Sequence, residues 1–360
     1  MDAQQAITVN TCNNCNNSNT LVFTVARMNP PTPGHLELIR EMLTMAKNKG
    51  IKQVYIFLSE KQGAKDPISC ADKATALTGS YDPVTNINIW ANVAEFVRDS
   101  MQNTDKAAQA NDAAVLARNA ATSATNTNVT VQQPNLKSMI QSLKSDMGID
   151  ITVNTICFSG SNVFKYIDYY ANKLQKTPES KSVYLVGFFG GDRDDFGVAI
   201  EKSFKNKYSY FSPPSSPRAG MEKFKNLYTN NPELLIVDKG HPDYHSMADI
   251  VNAGAMSANL VRLIVKQGFK DRFTELYQPY LDAVSIDKLY NAINQGMEYY
   301  TKIVAEEAAI KAAVKAAKAP VKSARPSRKG GRKTRKRISN RKQRKSRIKT
   351  KRNTKKRSTI

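Results

Sequence analysis

The chain has 360 residues, with 54 Lys and Arg against 31 Asp and Glu, for a formal net charge of +23. Residues 311–360 hold 23 of the basic residues and none of the acidic ones, so residues 1–310 carry 31 of each and are formally neutral. This excludes a uniformly basic protein and calls for two functional readings, one for a neutral body and one for a charged tail.

A body of about 300 residues suffices for one large α/β domain with insertions or for two smaller domains. No apolar run approaches the roughly 18 residues of a membrane span, and MDAQQAITVN lacks the basic-then-apolar pattern of a signal segment. Four unevenly spaced Cys do not make a disulfide framework. The expectation is an intracellular, cytoplasmic protein with no membrane partner.

Residues 1–20, with the Asn-rich stretch TCNNCNNSNT, read as a disordered leader. Cys12-x-x-Cys15 has half of a zinc or redox spacing, but no second Cys pair accompanies it, and no metal site is expected. From Leu21, LVFTVAR is an apolar, β-branched run that reads as a buried strand. Pro30, Pro31 and Pro33 then mark a turn. In GHLELIREMLTMAKNKG, Leu36, Ile39, Leu43 and Ala46 recur at helical spacing and Gly50 supplies a stop. VYIFLS (54–59) is a second strand, which completes a strand–helix–strand unit with a parallel crossover.

Further apolar runs at 151–158, 183–188 and 234–238 read as strands, separated by helical segments near 135–147, 162–175 and 194–206. Such alternation predicts an α/β fold with a doubly wound parallel sheet. An insertion interrupts it at about 98–134, where half of positions 107–124 are Ala, and residues 209–219 read as an irregular loop. After Ser257 the chain is expected to be helical, with residues 282–319 forming C-terminal helices.

Residues 26–35 read Ala-Arg-Met-Asn-Pro-Pro-Thr-Pro-Gly-His. A strand end delivers this segment to the sheet edge where such folds bind ligands. A helix opens near Pro33-Gly34, so its N–H groups and dipole favour an anion. Gly34 allows close approach of a phosphate, and Thr32 and His35 add a hydroxyl and an imidazole. Together they describe a phosphate site.

Asn-Pro-Pro-Thr-x-Gly-His after a buried strand resembles the (H/T)xGH signature of the nucleotidylyltransferase, or cytidylyltransferase-like, superfamily. That superfamily has a second motif, Ile-Ser-x-Thr-x-x-Arg, at the start of a later helix. Here Met256-Ser257-Ala258-Asn259-Leu260-Val261-Arg262 is similar to it, with Met256 in place of Ile and Asn259 in place of Thr. Between the two, residues 190–196 (Gly-Gly-Asp-Arg-Asp-Asp-Phe) resemble the family's Gly-x-Asp-x-x-x-Phe segment. The stretch from Ser59-Glu60-Lys61 to Asp66-Pro67-Ile68-Ser69 is similar to a substrate-side loop. The resemblance covers roughly residues 21–281, apart from the insertion.

The resemblance implies a Rossmann-like fold of the HUP type in residues 21–281 and transfer of a nucleoside monophosphate from CTP or ATP to a small phosphorylated acceptor, with release of pyrophosphate. It implies Thr32, His35, Ser257 and Arg262 as catalytic residues around the triphosphate. Met28, Asn29, Gly34, Gly191, Asp192 and Asn259 would bind the nucleotide, and Lys61 and Lys65 would hold the acceptor's phosphate. Mg²⁺ would arrive with the nucleotide. Simpler roles stand beside these: Ser257 as a helix cap, Arg262 as a surface charge, and Asp192, Asp194 and Asp195 as acidic caps. His241 and His245 flank Pro242 and read as a loop, not a metal pair.

Residues 320–360 form a basic tail without apolar periodicity, expected to be disordered. A tail of this kind binds phosphate polymers by counterion release. Nuclear targeting is the alternative from the same composition. The ending resembles basic tails frequent on proteins of large nucleocytoplasmic DNA viruses. The second functional expectation is therefore a non-catalytic nucleic-acid-associated or virion protein built on the same fold.

Overall fold

Apolar side chains at every position of a short run suit a strand covered on both faces, because successive residues of a strand point to opposite sides. The structure, a computed structural model, describes residues 12–101, 137–159, 163–177, 182–190, 194–213 and 221–317. β1 (Thr20–Ala26) is buried throughout. Val22 and Ala26 enter one core, while Leu21, Phe23 and Val25 enter the other.

β1 pairs in parallel with β2 (Gln53–Ser59) and β4 (Tyr184–Phe188). β3 (Thr152–Phe158) extends the sheet beyond β2, and β5 (Ser209–Phe211) extends it beyond β4. The order β3-β2-β1-β4-β5, all parallel, gives the α/β, Rossmann-like architecture that strand–helix alternation predicts.

Helices cover both faces. The first core takes side chains from α1 (Pro33–Asn48), α2 (Cys70–Thr78) and α4 (Met139–Met147). The second takes them from α3 (Pro83–Met101), α5 (Val163–Gln175) and α6 (Asp194–Phe204). After β5 come α7 (Met221–Asn230), α8 (Met247–Asn252), α9 (Ala258–Lys266), α10 (Lys270–Tyr277) and α11 (Ala283–Ala317). Leu260, Val261, Ile264, Phe273, Tyr277, Ile286 and Ile293 from the last three close the first core. The helical C-terminal segment is thus present, with α11 a single helix of 35 residues. The described residues up to Ala309 belong to one compact unit, and residues 310–317, described and helical, fall to a second. No helix among the described residues is long and apolar enough to cross a membrane.

Several expectations need correction. The run 234–238 is not a strand; Pro232–Ile236 is a 3-10 helix in which Leu235 is buried and Ile236 is 60% exposed. Pro232 lacks the N–H a sheet ladder needs and opens a helical turn instead. The fifth strand is Ser209–Phe211, inside the stretch read as irregular, and three residues are too few to show a period.

Residues 12–19 are not disordered. The Asn16 N–H donates to Asn19 Oδ1 and Thr20 Oγ1, both at 3.0 Å, so side chains satisfy the turn's backbone. Cys12 and Cys15 are buried and disulfide-bonded, and a second disulfide joins Cys70 of α2 to Cys157 of β3. The uneven spacing hid this second bridge, because its partners are brought together by the sheet. α3 runs through the first residues of the insertion expected from about 98. Residues 102–136 and the tail 320–360 lie outside the described residues.

Candidate functional site

The strand order reverses between β1 and β4, and the chain leaves the carboxyl end of β1 into the segment 27–35. Met28 is buried with φ 42°, a left-handed conformation that costs a non-glycine residue about 1–3 kcal/mol. It turns the chain so that Asn29 points inward. Asn29 is 2% exposed, and its side-chain amide bonds the backbone of Ile68 twice. Nδ2 donates to the Ile68 carbonyl at 2.9 Å and Oδ1 accepts from the Ile68 N–H at 3.0 Å. Asn29 thereby ties the loop after β2 to the loop after β1.

Thr32 is the N-cap of α1, with Pro33 in its first turn, where a missing N–H is harmless. His35 follows one turn later and folds back on the cap. Its Nδ1 accepts from the Thr32 N–H at 3.0 Å and lies 2.8 Å from Thr32 Oγ1. Because a backbone donor occupies Nδ1, the neutral imidazole carries its proton on Nε2. From α10, the buried Tyr277 hydroxyl donates to the Pro31 carbonyl at 2.6 Å, which braces the prolines from below; burial raises that phenol's pKa.

The later motif meets this loop directly. Ser257 caps α9, its Oγ accepting from the Leu260 N–H at 3.3 Å. One turn on, Arg262 donates from one guanidinium nitrogen to the Asn29 carbonyl and from the other to Asn259 Oδ1. Burial depresses the Arg262 pKa and the nearby Asp66 opposes that shift, so the group stays a cation. Asn29, Thr32 and His35 are thus gathered on one loop, and Arg262 and Asn259 are joined to it through Asn29. Met28 shapes the loop without contributing a polar group.

Sequence reasoning passed over three residues here. Arg27 leaves β1 with its side chain 55% exposed, and a guanidinium nitrogen lies 3.7 Å from the carboxylate of the buried Asp66. Lys73 of α2 is fully buried and donates to the Ser59 carbonyl at the end of β2. Burial lowers its pKa to about 8, against the charges of Asp66, Glu60 and Asp72. One signal marked it: Cys70, Lys73, Ala74 and Leu77 follow the i, i+3, i+4, i+7 spacing of a buried helix face, so Lys73 occupies a core position. Asp66 and Arg27 carried no such local sign.

The other expected residues stand apart. Lys61 and Lys65 are exposed on the loop after β2 and take no part in the bonds just described. Gly191 and Asp192 lie outside the described residues. Among the described residues, no three His, Cys, Asp or Glu side chains gather into a metal-binding group. An open depression of about 490 Å³ occurs at the opposite, amino end of β1 and β4, lined by Asn13, Asn14, Asn16, Asn19, Ser182 and Tyr184. Its described lining carries no charge, so it lacks what a phosphate ligand needs. The chain matches no protein-family model, no curated protein and no solved structure.

Proposed function

We propose that the protein is a nucleotidylyltransferase of the HUP type, moving a nucleoside monophosphate from CTP or ATP to a small phosphorylated acceptor. The observation that carries this reading is the bond from Arg262 to the Asn29 carbonyl, which sets the Met256–Arg262 segment against the Asn29–His35 segment. Two motifs far apart in sequence then act on one ligand.

The reaction is an in-line displacement. An acceptor phosphate oxygen forms a bond to the α-phosphorus, the bond from that phosphorus to the bridging oxygen breaks, and pyrophosphate leaves with the electron pair. Little covalent work falls to the protein; it orients the reactants and offsets the charge that builds on the leaving group. Arg262, already held at two points, supplies a fixed planar cation. His35, with Nδ1 committed to Thr32, directs its Nε2–H to the triphosphate, beside the positive end of α1. Ser257 and Asn259 set the start and the cation of α9. Lys61 and Lys65, exposed on the loop after β2, receive the acceptor's phosphate. Mg²⁺ enters with the triphosphate as part of the substrate. An NTP substrate puts the work inside a cell.

Purified protein incubated with each NTP, Mg²⁺ and a panel of phosphorylated acceptors is expected to release pyrophosphate with at least one pair. His35→Ala should abolish that release. No release with any pair would overturn the reading, and unchanged turnover in His35→Ala would overturn the site.

A second reading rests on the 23 basic residues of 311–360. Here the protein is a non-catalytic, nucleic-acid-associated component, for instance of a virion, with the fold as its scaffold. It is favoured if tail-dependent DNA or RNA binding, steeply weakened by salt, persists while no NTP is turned over.

A further inference from the structure

One buried carboxylate, Asp66, pairs with Arg27 and lies near enough to Arg262 and Lys73 for its charge to act on both. Asp66 is 6% exposed. Its backbone is held in a tight turn, the Asp66 N–H donating to the Gly63 carbonyl at 2.8 Å and the Gly63 N–H to the Asp66 carbonyl at 3.0 Å. Two residues on, Ile68 is clamped by Asn29. The carboxylate therefore has little freedom to move. Arg27 at the end of β1 pairs with it at 3.7 Å, and its charge acts on Arg262 of α9 and on the buried Lys73 of α2. Glu60 and Asp72 also act on Lys73, so the Asp66 carboxylate is left mainly to the two guanidinium groups.

Unlike charges draw together, and like charges on flexible stems move apart. Arg27 is more than half exposed, and without a partner its long side chain would keep its rotamer freedom in water. Arg262 is anchored by Asn29 and Asn259. A rigid carboxylate near both is the element that holds the mobile guanidinium at a set distance from the fixed one.

We propose that Asp66 is a positioning residue: it holds Arg27 beside Arg262 so that the two guanidinium groups form one clamp for the phosphate chain of the nucleotide. The inference rests on the nucleotidylyl-transfer reading and goes beyond it by naming what sets the clamp.

The sign of one substitution separates this role from a merely electrostatic one. Asp66→Asn removes a negative charge, so simple electrostatics makes anion binding tighter. Loss of positioning makes it weaker. The probe is inorganic tripolyphosphate, titrated calorimetrically into the full-length chain at 0.3 M salt to suppress binding by the basic tail. Arg262→Ala defines the signal due to the site. Expected is at least a tenfold weaker site affinity in Asp66→Asn, recovery to within about threefold in Asp66→Glu, and no further loss when Asp66→Asn is added to Arg27→Gln.

Because Asp66 is buried, thermal unfolding accompanies each titration. Arg27→Gln alters an exposed side chain, and it must show the same tenfold loss even if Asp66→Asn proves unstable. Equal or tighter binding in Asp66→Asn, independent effects of the two substitutions, or no Arg262-dependent binding in the wild type would each overturn the proposal. Site binding with these couplings, but no pyrophosphate release from any substrate pair, would instead overturn the transfer reading and leave Asp66 its role.

Discussion

Gly296 of α11 lies directly against the backbone of Pro67. A Cβ added at Gly296 would stand 2.7 Å from the Pro67 carbonyl carbon, and nearer still to its oxygen. The long C-terminal helix therefore presses on the loop that carries Asp66, one residue before, and Ile68, one residue after. Because backbone meets backbone, no side-chain rotation can relieve a methyl group placed there.

Gly296→Ala tests that contact. In an unconstrained helix the change stabilises by about 1 kcal/mol. Here overpacking against a fixed loop costs about 1–3 kcal/mol, so the net effect should be destabilising. Thermal unfolding should show a midpoint lowered by a few degrees. A raised midpoint would mean that the helix does not rest on Pro67.

The buried Lys73 makes stability depend on pH. Its folded pKa of about 8 lies below the ordinary lysine value of 10.5, so below pH 8 the charged amine carries a net cost of about 3 kcal/mol, burial less the attraction of Asp66, Glu60 and Asp72. Between pH 8 and 10.5 the folded state has released the proton while the unfolded chain still binds it, so this group makes stability rise with pH. Above about pH 10 the buried tyrosines oppose it, since burial raises the pKa of Tyr277 and the unfolded chain ionises first. Urea midpoints should therefore climb from pH 8 to 10 in the wild type and stay flat in Lys73→Met. A falling midpoint in the wild type over that interval would contradict the assignment.

Arg262→Lys distinguishes a planar fork from a positive charge. The guanidinium bonds the Asn29 carbonyl and the Asn259 side chain at once, which an ammonium group cannot do with the same geometry. Pyrophosphate release should fall about 100-fold, equivalent to about 2–3 kcal/mol of barrier. Retention of half the rate would show that charge alone suffices.

The Cys70–Cys157 bridge spans a sequence separation of 87 and joins α2, which carries Lys73, to β3. Chain-entropy reasoning for a loop of that length gives up to about 4.6 kcal/mol of stabilisation. Disulfides of this kind are rare in reducing compartments, so its state in the cell is informative. In the purified, oxidised protein, mass measurement after rapid alkylation should find Cys70 and Cys157 protected, and full reduction should lower the urea midpoint. Equal midpoints with and without reductant would show that the sheet holds α2 unaided.

Much of the scaffold was legible because it is local. Continuous apolar runs for the strands and a 3.6 period for the helix, with Pro and Gly at the breaks, placed β1, α1, β2 and β3 close to where they stand. The period failed where segments were short or ambiguous: Ser209–Phe211 has three residues, and Pro232 turned an apolar run into a 3-10 helix. Among site residues, Thr32, His35 and Arg262 were marked by motif. Asp66 and Arg27 were not, because an isolated charge in a loop looks the same whether buried or solvated until its neighbours are known.

From the sequence alone come the neutral body with its separate basic tail, the parallel α/β class, and the order of the motifs along the chain. Composition and period are properties of neighbours in sequence, so no folding is needed to read them. Only the tertiary structure decided that Arg262 reaches Asn29 across 233 positions, that Lys73 is dry, that Cys70 meets Cys157, and that Gly296 leaves room for Pro67. Each of those depends on how distant segments pack, and burial, which sets the worth of a charge or a methyl group, exists only once they have done so.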